Sequence, residues 1–189
     1  YHLTTRLAGL GHTVFATARK SSDLARLAAI ERVIPIELEL TEKGAIDRAV
    51  REVESHELGL YGLINNAGLG GVGFLSSWSD QELLELFEVN ALAPIRLARA
   101  CLPLLLASQG RIVNIGSQGG SISMRYYGPY TMTKHALEAM TVALDDELRA
   151  HGVRVSIVQP GGIVSAIGEN GLPSTAARFR RAGPPFEEE

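Results

Sequence analysis

Tyr130 and Lys134 stand four residues apart in a stretch of helical character, which places both on one helix face. A free tyrosine, with a pKa of about 10, is a poor proton acceptor at neutral pH. A nearby ammonium favours the phenolate, so the pair can give and take a proton at a substrate oxygen. The pair alone fits a solvated helix face equally well, and its surroundings decide. Ser117 precedes Tyr130 by 13 residues, and both Asn65-Asn66-Ala67-Gly68 and Pro160-Gly161 follow stretches that read as buried strands. Other chemistries find little support. Cys101 is the single cysteine, and the five histidines (His2, His12, His56, His135, His151) are far apart in sequence, with no CxxC or HExxH spacing for a metal. The expectation is therefore no metal site and no disulfide framework.

The elements that must position these residues follow from periodicity and turn signals. Helices are expected over 1–10, 24–29 with Ser21-Ser22-Asp23 as its cap, about 41–53, about 79–106 and about 130–150. Strands are expected over 14–17, 33–38, 60–64, 111–115 and 153–158, with the tail from Pro160 lacking clear periodicity. Alternating strands and helices predict an α/β fold with a parallel sheet, whose ligands bind beyond the carboxyl ends of the strands. Pro94 stands four residues after Asn90 and has no N–H, so the Asn90 carbonyl loses its helical partner and a kink is expected there.

Length and charge bound the answer further. A chain of 189 residues suits one domain. The formal net charge is −3 and the 18 Lys and Arg form no stripe, so no nucleic-acid partner is expected. The apolar run near 102–107 is interrupted by Pro103 and is too short to span a bilayer. A cytoplasmic setting is expected, in keeping with the single cysteine.

Taken together, Asn65-Asn66-Ala67-Gly68, Asn90, Ser117, the Tyr130/Lys134 pair and Pro160-Gly161 resemble the short-chain dehydrogenase/reductase family, in order and spacing along nearly the whole chain. The likeness is nearest to the hydroxysteroid and retinol dehydrogenase branch, through 14–19 and Lys134-His135-Ala136-Leu137-Glu138. It implies a Rossmann-like, doubly wound parallel sheet and hydride transfer between a nicotinamide cofactor and an alcohol or carbonyl substrate. It implies Tyr130 as general acid/base, Ser117 polarising the substrate oxygen, Lys134 on the nicotinamide ribose while lowering the Tyr130 pKa, and Asn90 in a water-linked proton relay. Cofactor contacts are implied for Glu39 and Leu40, for Asn66, Ala67 and Gly68, and for Pro160, Gly161, Ile163 and Ser165, besides Tyr130 and Lys134. Ala18 stands where an NAD-binding strand usually ends in an acid, and Arg19 and Lys20 follow it. Cations there suit a 2′-phosphate, so NADP(H) is expected over NAD(H), with Arg19 as phosphate partner.

The same resemblance implies that the family's first strand and glycine-rich turn lie before Tyr1, and a last helix and strand after Glu189. The chain is thus expected to be an internal fragment, unstable alone, whose strand at 14–17 finds no partner on one side. The mostly apolar segments 69–78, 118–129 and from Ser165 onward, with Phe74, Met124, Tyr126, Tyr127 and Leu172, suggest a lipophilic alcohol or ketone. A homo-oligomer of the parent protein is a further expectation. Two other readings are a catalytically silent dinucleotide-binding regulator, against which an intact Ser117/Tyr130/Lys134 set argues, and a sugar-nucleotide epimerase, against which the NNAG segment argues.

Overall fold

Strands and helices alternate along the chain in the computed structural model, which describes residues 1–163 and 166–184. The chain divides into two compact units, Tyr1–Gly59 and Leu60–Glu189.

The first unit contains α1 (His2–Gly9), β1 (Val14–Ala18), α2 (Ser21–Ala28), β2 (Val33–Glu37) and α3 (Ala45–Ser55). β1 and β2 pair in parallel, from Val14 opposite Val33 to Ala18 opposite Glu37. Parallel strands need a crossover between them, and α2 supplies it. Leu27 of α2 and Ala8 of α1 close a small core with Ala16 and Val33, against which Val14, Ala18 and Ile30 pack. α3 begins at Ala45, later than the pattern suggests, because Gly44 adopts φ +79° and separates the 41–43 turn from the helix. α2 begins at Ser21 with Lys20 in the cap position and no side-chain cap.

The second unit contains β3 (Gly62–Asn65), α4 (Asp80–Phe87), α5 (Ala93–Ser108), β4 (Arg111–Ile115), α6 (Gly128–Leu148), β5 (Arg154–Val158) and α7 (Ala166–Ala182). Its three strands form a parallel sheet in the order β3-β4-β5. Among the described residues the β1 ladder runs to β2 alone, and the β3 ladder to β4 alone. β4 is the middle strand, and Ile112 and Asn114 on it are fully buried. A polar chain crosses this core: Asn65 Nδ2 donates to Asn114 Oδ1 (2.8 Å), Asn114 Nδ2 to Thr141 Oγ1 (2.8 Å), and the Thr141 hydroxyl to the Leu137 carbonyl (2.7 Å). It fixes β3, β4 and α6 to one another.

The expected kink at Asn90 takes a definite form. Residues Glu88–Leu92 make one turn of π-helix between α4 and α5, with the Ala93 N–H donating to the Glu88 carbonyl. Pro94 cannot donate, and the wider turn is the usual way a helix absorbs such an interruption. The segment Asp80–Ser108 is helical throughout, and it is long and apolar enough to cross a membrane by length and composition alone. Here its Leu86, Val89, Ala93, Ala98, Cys101 and Leu105 are buried in the unit's core. The tail beyond Pro160, which carries no clear period in the sequence, forms α7 despite Pro173.

Candidate active site

Ser117 stands two residues beyond the end of β4, and its extended backbone opens a single 3-10 turn, Gln118–Gly120. Its Oγ accepts the Gly119 N–H at 3.1 Å. The hydroxyl proton remains available to another oxygen. Tyr130 lies in the first turn of α6, where Pro129 suits the early helical positions. A β-carbon at Gly119 would stand 3.4 Å from Ser117 Oγ and 3.5 Å from Tyr130 Cε1. Both side chains therefore border the same small volume beside Gly119. Among the described residues the Tyr130 hydroxyl has no hydrogen-bond partner in the protein.

Lys134 is one turn further along α6 and almost fully buried. Its Nζ donates to the Ile115 carbonyl at 2.8 Å and lies 5.8 Å from the Tyr130 ring centroid. Burial pushes the Lys134 pKa down to about 8. Near neutral pH most of the population still carries the charge, yet a lone carbonyl satisfies little of it. Gly68 faces this ammonium: a β-carbon there would stand 3.8 Å from Lys134 Nζ and 3.5 Å from Asn90 Oδ1. The two polar groups and the missing side chain leave a small polar cradle, which fits a sugar hydroxyl better than an apolar group.

Asn90 is fully buried in the π turn, and its side chain pins the NNAG loop. Oδ1 accepts the Leu69 N–H at 2.7 Å, while Nδ2 donates to the Leu69 carbonyl (2.9 Å) and to Thr133 Oγ1 (3.1 Å). The Thr133 hydroxyl in turn donates to the Tyr130 carbonyl at 2.8 Å. Thr133, which sequence reasoning passed over, thereby ties Asn90 to the turn of α6 that carries Tyr130. No spacing signal marks it, since its role is a contact between residues 43 positions apart.

The other expected cofactor residues are placed as follows. Asn66 and Ala67 are exposed beyond β3, and Pro160 and Gly161 follow β5. Pro160 accepts the Gln118 N–H at 3.0 Å, so this turn is fastened to the Ser117 loop. Ile163 is exposed, and Ser165 lies outside the described residues. In the first unit, Arg19 and Glu39 pair at 3.2 Å beyond β1 and β2, and Leu40 is half-buried next to Glu39. Burial opposes Glu39 ionisation, but the Thr41 N–H and hydroxyl and the Arg19 guanidinium outweigh it and hold the carboxyl below the usual range.

The apolar segments flanking the site also have structure. Phe74, Tyr126 and Phe179 form a three-ring cluster with centroids 5.1–5.5 Å apart. Tyr126 holds φ +68° there, and its carbonyl accepts the Gly73 N–H at 3.0 Å. α7 is fastened over this region by Arg178, whose guanidinium lies 3.5 Å above the Trp78 ring and donates to Glu82 at 3.1 Å. Met124, Tyr127 and Leu172 are exposed.

Ser117, Tyr130 and Lys134 lie beyond the strand ends of a parallel α/β sheet, the arrangement the sequence leads one to expect, and the family model described as short chain dehydrogenase matches residues 1–173. The chain belongs to the short-chain dehydrogenase family. It is 34% identical over 140 residues to the mitochondrial D-beta-hydroxybutyrate dehydrogenase of Bos taurus, covering 72% of this chain and 41% of that protein. It is 36% identical over 148 residues to the human retinol dehydrogenase 5, covering 77% and 46%. Among solved structures, a metagenomic short-chain oxidoreductase in complex with NADP is 29% identical with a TM-score of 0.78, covering 96% of this chain and 86% of that one. The chain thus spans less than half the length of these two curated relatives.

Proposed function

We propose that the protein carrying this chain is an NADP(H)-dependent oxidoreductase acting on an alcohol or carbonyl compound, with Tyr130 as its general acid/base. The observation that carries this reading is that Ser117 Oγ and Tyr130 Cε1 lie 3.4 and 3.5 Å from the position a Gly119 β-carbon would take, with Lys134 Nζ 5.8 Å from the Tyr130 ring centroid.

The bound nicotinamide supplies or accepts the hydride. In the reducing direction, Ser117 donates a hydrogen bond from its hydroxyl to the substrate oxygen and polarises the carbonyl. Tyr130 delivers its phenolic proton to that oxygen as the carbon accepts the hydride. The negative charge developing on the tyrosine oxygen lies at the positive end of the α6 dipole and near Lys134, and both stabilise it. In the oxidising direction Tyr130 takes the proton back. Lys134 and Gly68 form the cradle for ribose hydroxyls, and Asn90 holds the Leu69 backbone beside them. Arg19 is the proposed partner of a 2′-phosphate: it spends one donor on Glu39 and, with its side chain 61% exposed, keeps others free. The NADP complex of the metagenomic oxidoreductase supports that preference. The aromatic cluster of Phe74, Tyr126 and Phe179, and the likeness to a retinol dehydrogenase, support a lipophilic substrate.

The test is NADPH oxidation by the whole protein across a panel of ketones and aldehydes of increasing chain length, with NADH in parallel. The proposal expects turnover that favours NADPH and apolar carbonyls.

A further inference from the structure

We propose that Glu138 is a positioning residue for the reaction, acting through Gln159 to set the Ser117 loop and the Pro160-Gly161 turn against α6. The proposal rests on the oxidoreductase reading above.

Glu138 follows Tyr130 and Lys134 at intervals of one helical turn, so all three lie along one side of α6. Its Oε1 accepts from Gln159 Nε2 at 2.6 Å, and the same amide nitrogen donates to Ser121 Oγ at 2.9 Å. Three segments therefore meet at one amide: α6, the loop that begins at Ser117, and the turn that follows β5. The main chain repeats the link, with the Gln118 N–H donating to the Pro160 carbonyl (3.0 Å) and the Gly116 N–H to the Val158 carbonyl (2.8 Å).

The glycines around this point make room for it. A β-carbon at Gly120 would stand 3.0 Å from Glu138 Cγ and Oε1, and one at Gly116 would stand 3.2 Å from Oε1. A β-carbon at Gly161 would meet the Gln118 side chain at 3.2 Å. Glu138 is thus built into the space where the two loops join, with its carboxylate bonded to the residue just before Pro160. A charge-assisted acceptor is stronger and more directional than a neutral one. Loosening it lets the two loops shift relative to Tyr130 and Lys134, and displacements of an ångström at a reacting centre are costly in rate.

The experiment uses the whole protein and compares Glu138→Gln, Glu138→Ala, Gln159→Ala and the double alanine variant. Glu138→Gln keeps an acceptor for the Gln159 amide, and its turnover is expected within about threefold of the parent. Glu138→Ala and Gln159→Ala are each expected to lower kcat/KM for the cofactor about tenfold, with substrate KM within twofold. Because the two act through one bond, the double variant is expected to be no worse than either single one. Should Glu138→Ala not fold, Gln159→Ala and Ser121→Ala carry the same comparison. Losses that add in the double variant, or single variants within twofold of the parent, overturn the proposal. Those outcomes leave the oxidoreductase reading standing as long as Tyr130→Phe abolishes turnover. A parent with no nicotinamide-dependent turnover overturns both.

Discussion

Arg19 and Lys134 are the two cations of the proposed cofactor site, and their surroundings differ sharply. Arg19 is exposed and shares Glu39 at 3.2 Å. Substituting Arg19→Asp removes the proposed phosphate partner and sets two carboxylates near each other. A charge-assisted hydrogen bond contributes about 1.5–3 kcal/mol, so the NADPH-to-NADH ratio of kcat/KM is expected to fall roughly ten- to a hundredfold. A ratio unchanged from the parent assigns Arg19 to the ion pair alone. Lys134 is buried, and its pKa is held down to about 8 against an ordinary value of 10.5. Below pH 8 it is charged in both folded and unfolded states, and the burial cost is present in full. Between pH 8 and 10.5 the folded state releases the proton first, so stability rises with pH. Measured against Lys134→Met, the parent's unfolding free energy is expected to climb across that window by about 3 kcal/mol and to stay flat below it. A flat difference between pH 8 and 10.5 contradicts this account of the buried ammonium.

Among the elements, α6 carries most of the site, and its far end is anchored by Asp145. The carboxylate accepts the Val155 N–H at 2.8 Å and is bonded by Arg149 at 2.6 Å and Arg154 at 3.2 Å. These donors outweigh burial and bring its pKa to about 2. The stabilisation is complete above the ordinary carboxylate pKa and is lost as pH falls from about 4 toward 2. Asp145→Asn is therefore expected to lower the thermal midpoint at pH 7, with the gap to the parent closing by pH 2. A gap that persists unchanged at pH 2 would show that the charge is immaterial. The strands were legible as short apolar runs bounded by turn residues, and α6 as a long stretch without an interior Gly or Pro between the turn residues Gly128-Pro129 and Gly152. α7 was not: its period is broken by Gly171 and Pro173, and what holds it is distant, the stacking of Arg178 on Trp78 and the bonds to Glu82. The π turn was legible as an interruption at Pro94 but not as a geometry, because a kink and a bulge answer the same missing donor.

For the molecule as a whole, the proposed catalytic residues were readable because their types and spacing stand out in the sequence: Ser117 and Tyr130 border Gly119, and Lys134 lies 5.8 Å from the Tyr130 ring. The residues that fasten the site together, Thr133, Glu138 and Gln159, were not readable. Each is an ordinary polar residue whose value lies in contacts with residues distant in sequence. The 1–59 and 60–189 units each hold a parallel sheet of their own, and residues 1–173 match the short-chain dehydrogenase family as one stretch. The central claim is that Tyr130 moves the proton, and turnover by the Tyr130→Phe variant of the whole protein tests it most directly. Loss of a general acid/base is expected to lower kcat by about 10²–10⁴-fold, with NADPH affinity measured by fluorescence titration kept within about twofold, since the phenyl ring still fills its place. A variant that retains kcat within twofold of the parent would contradict the account.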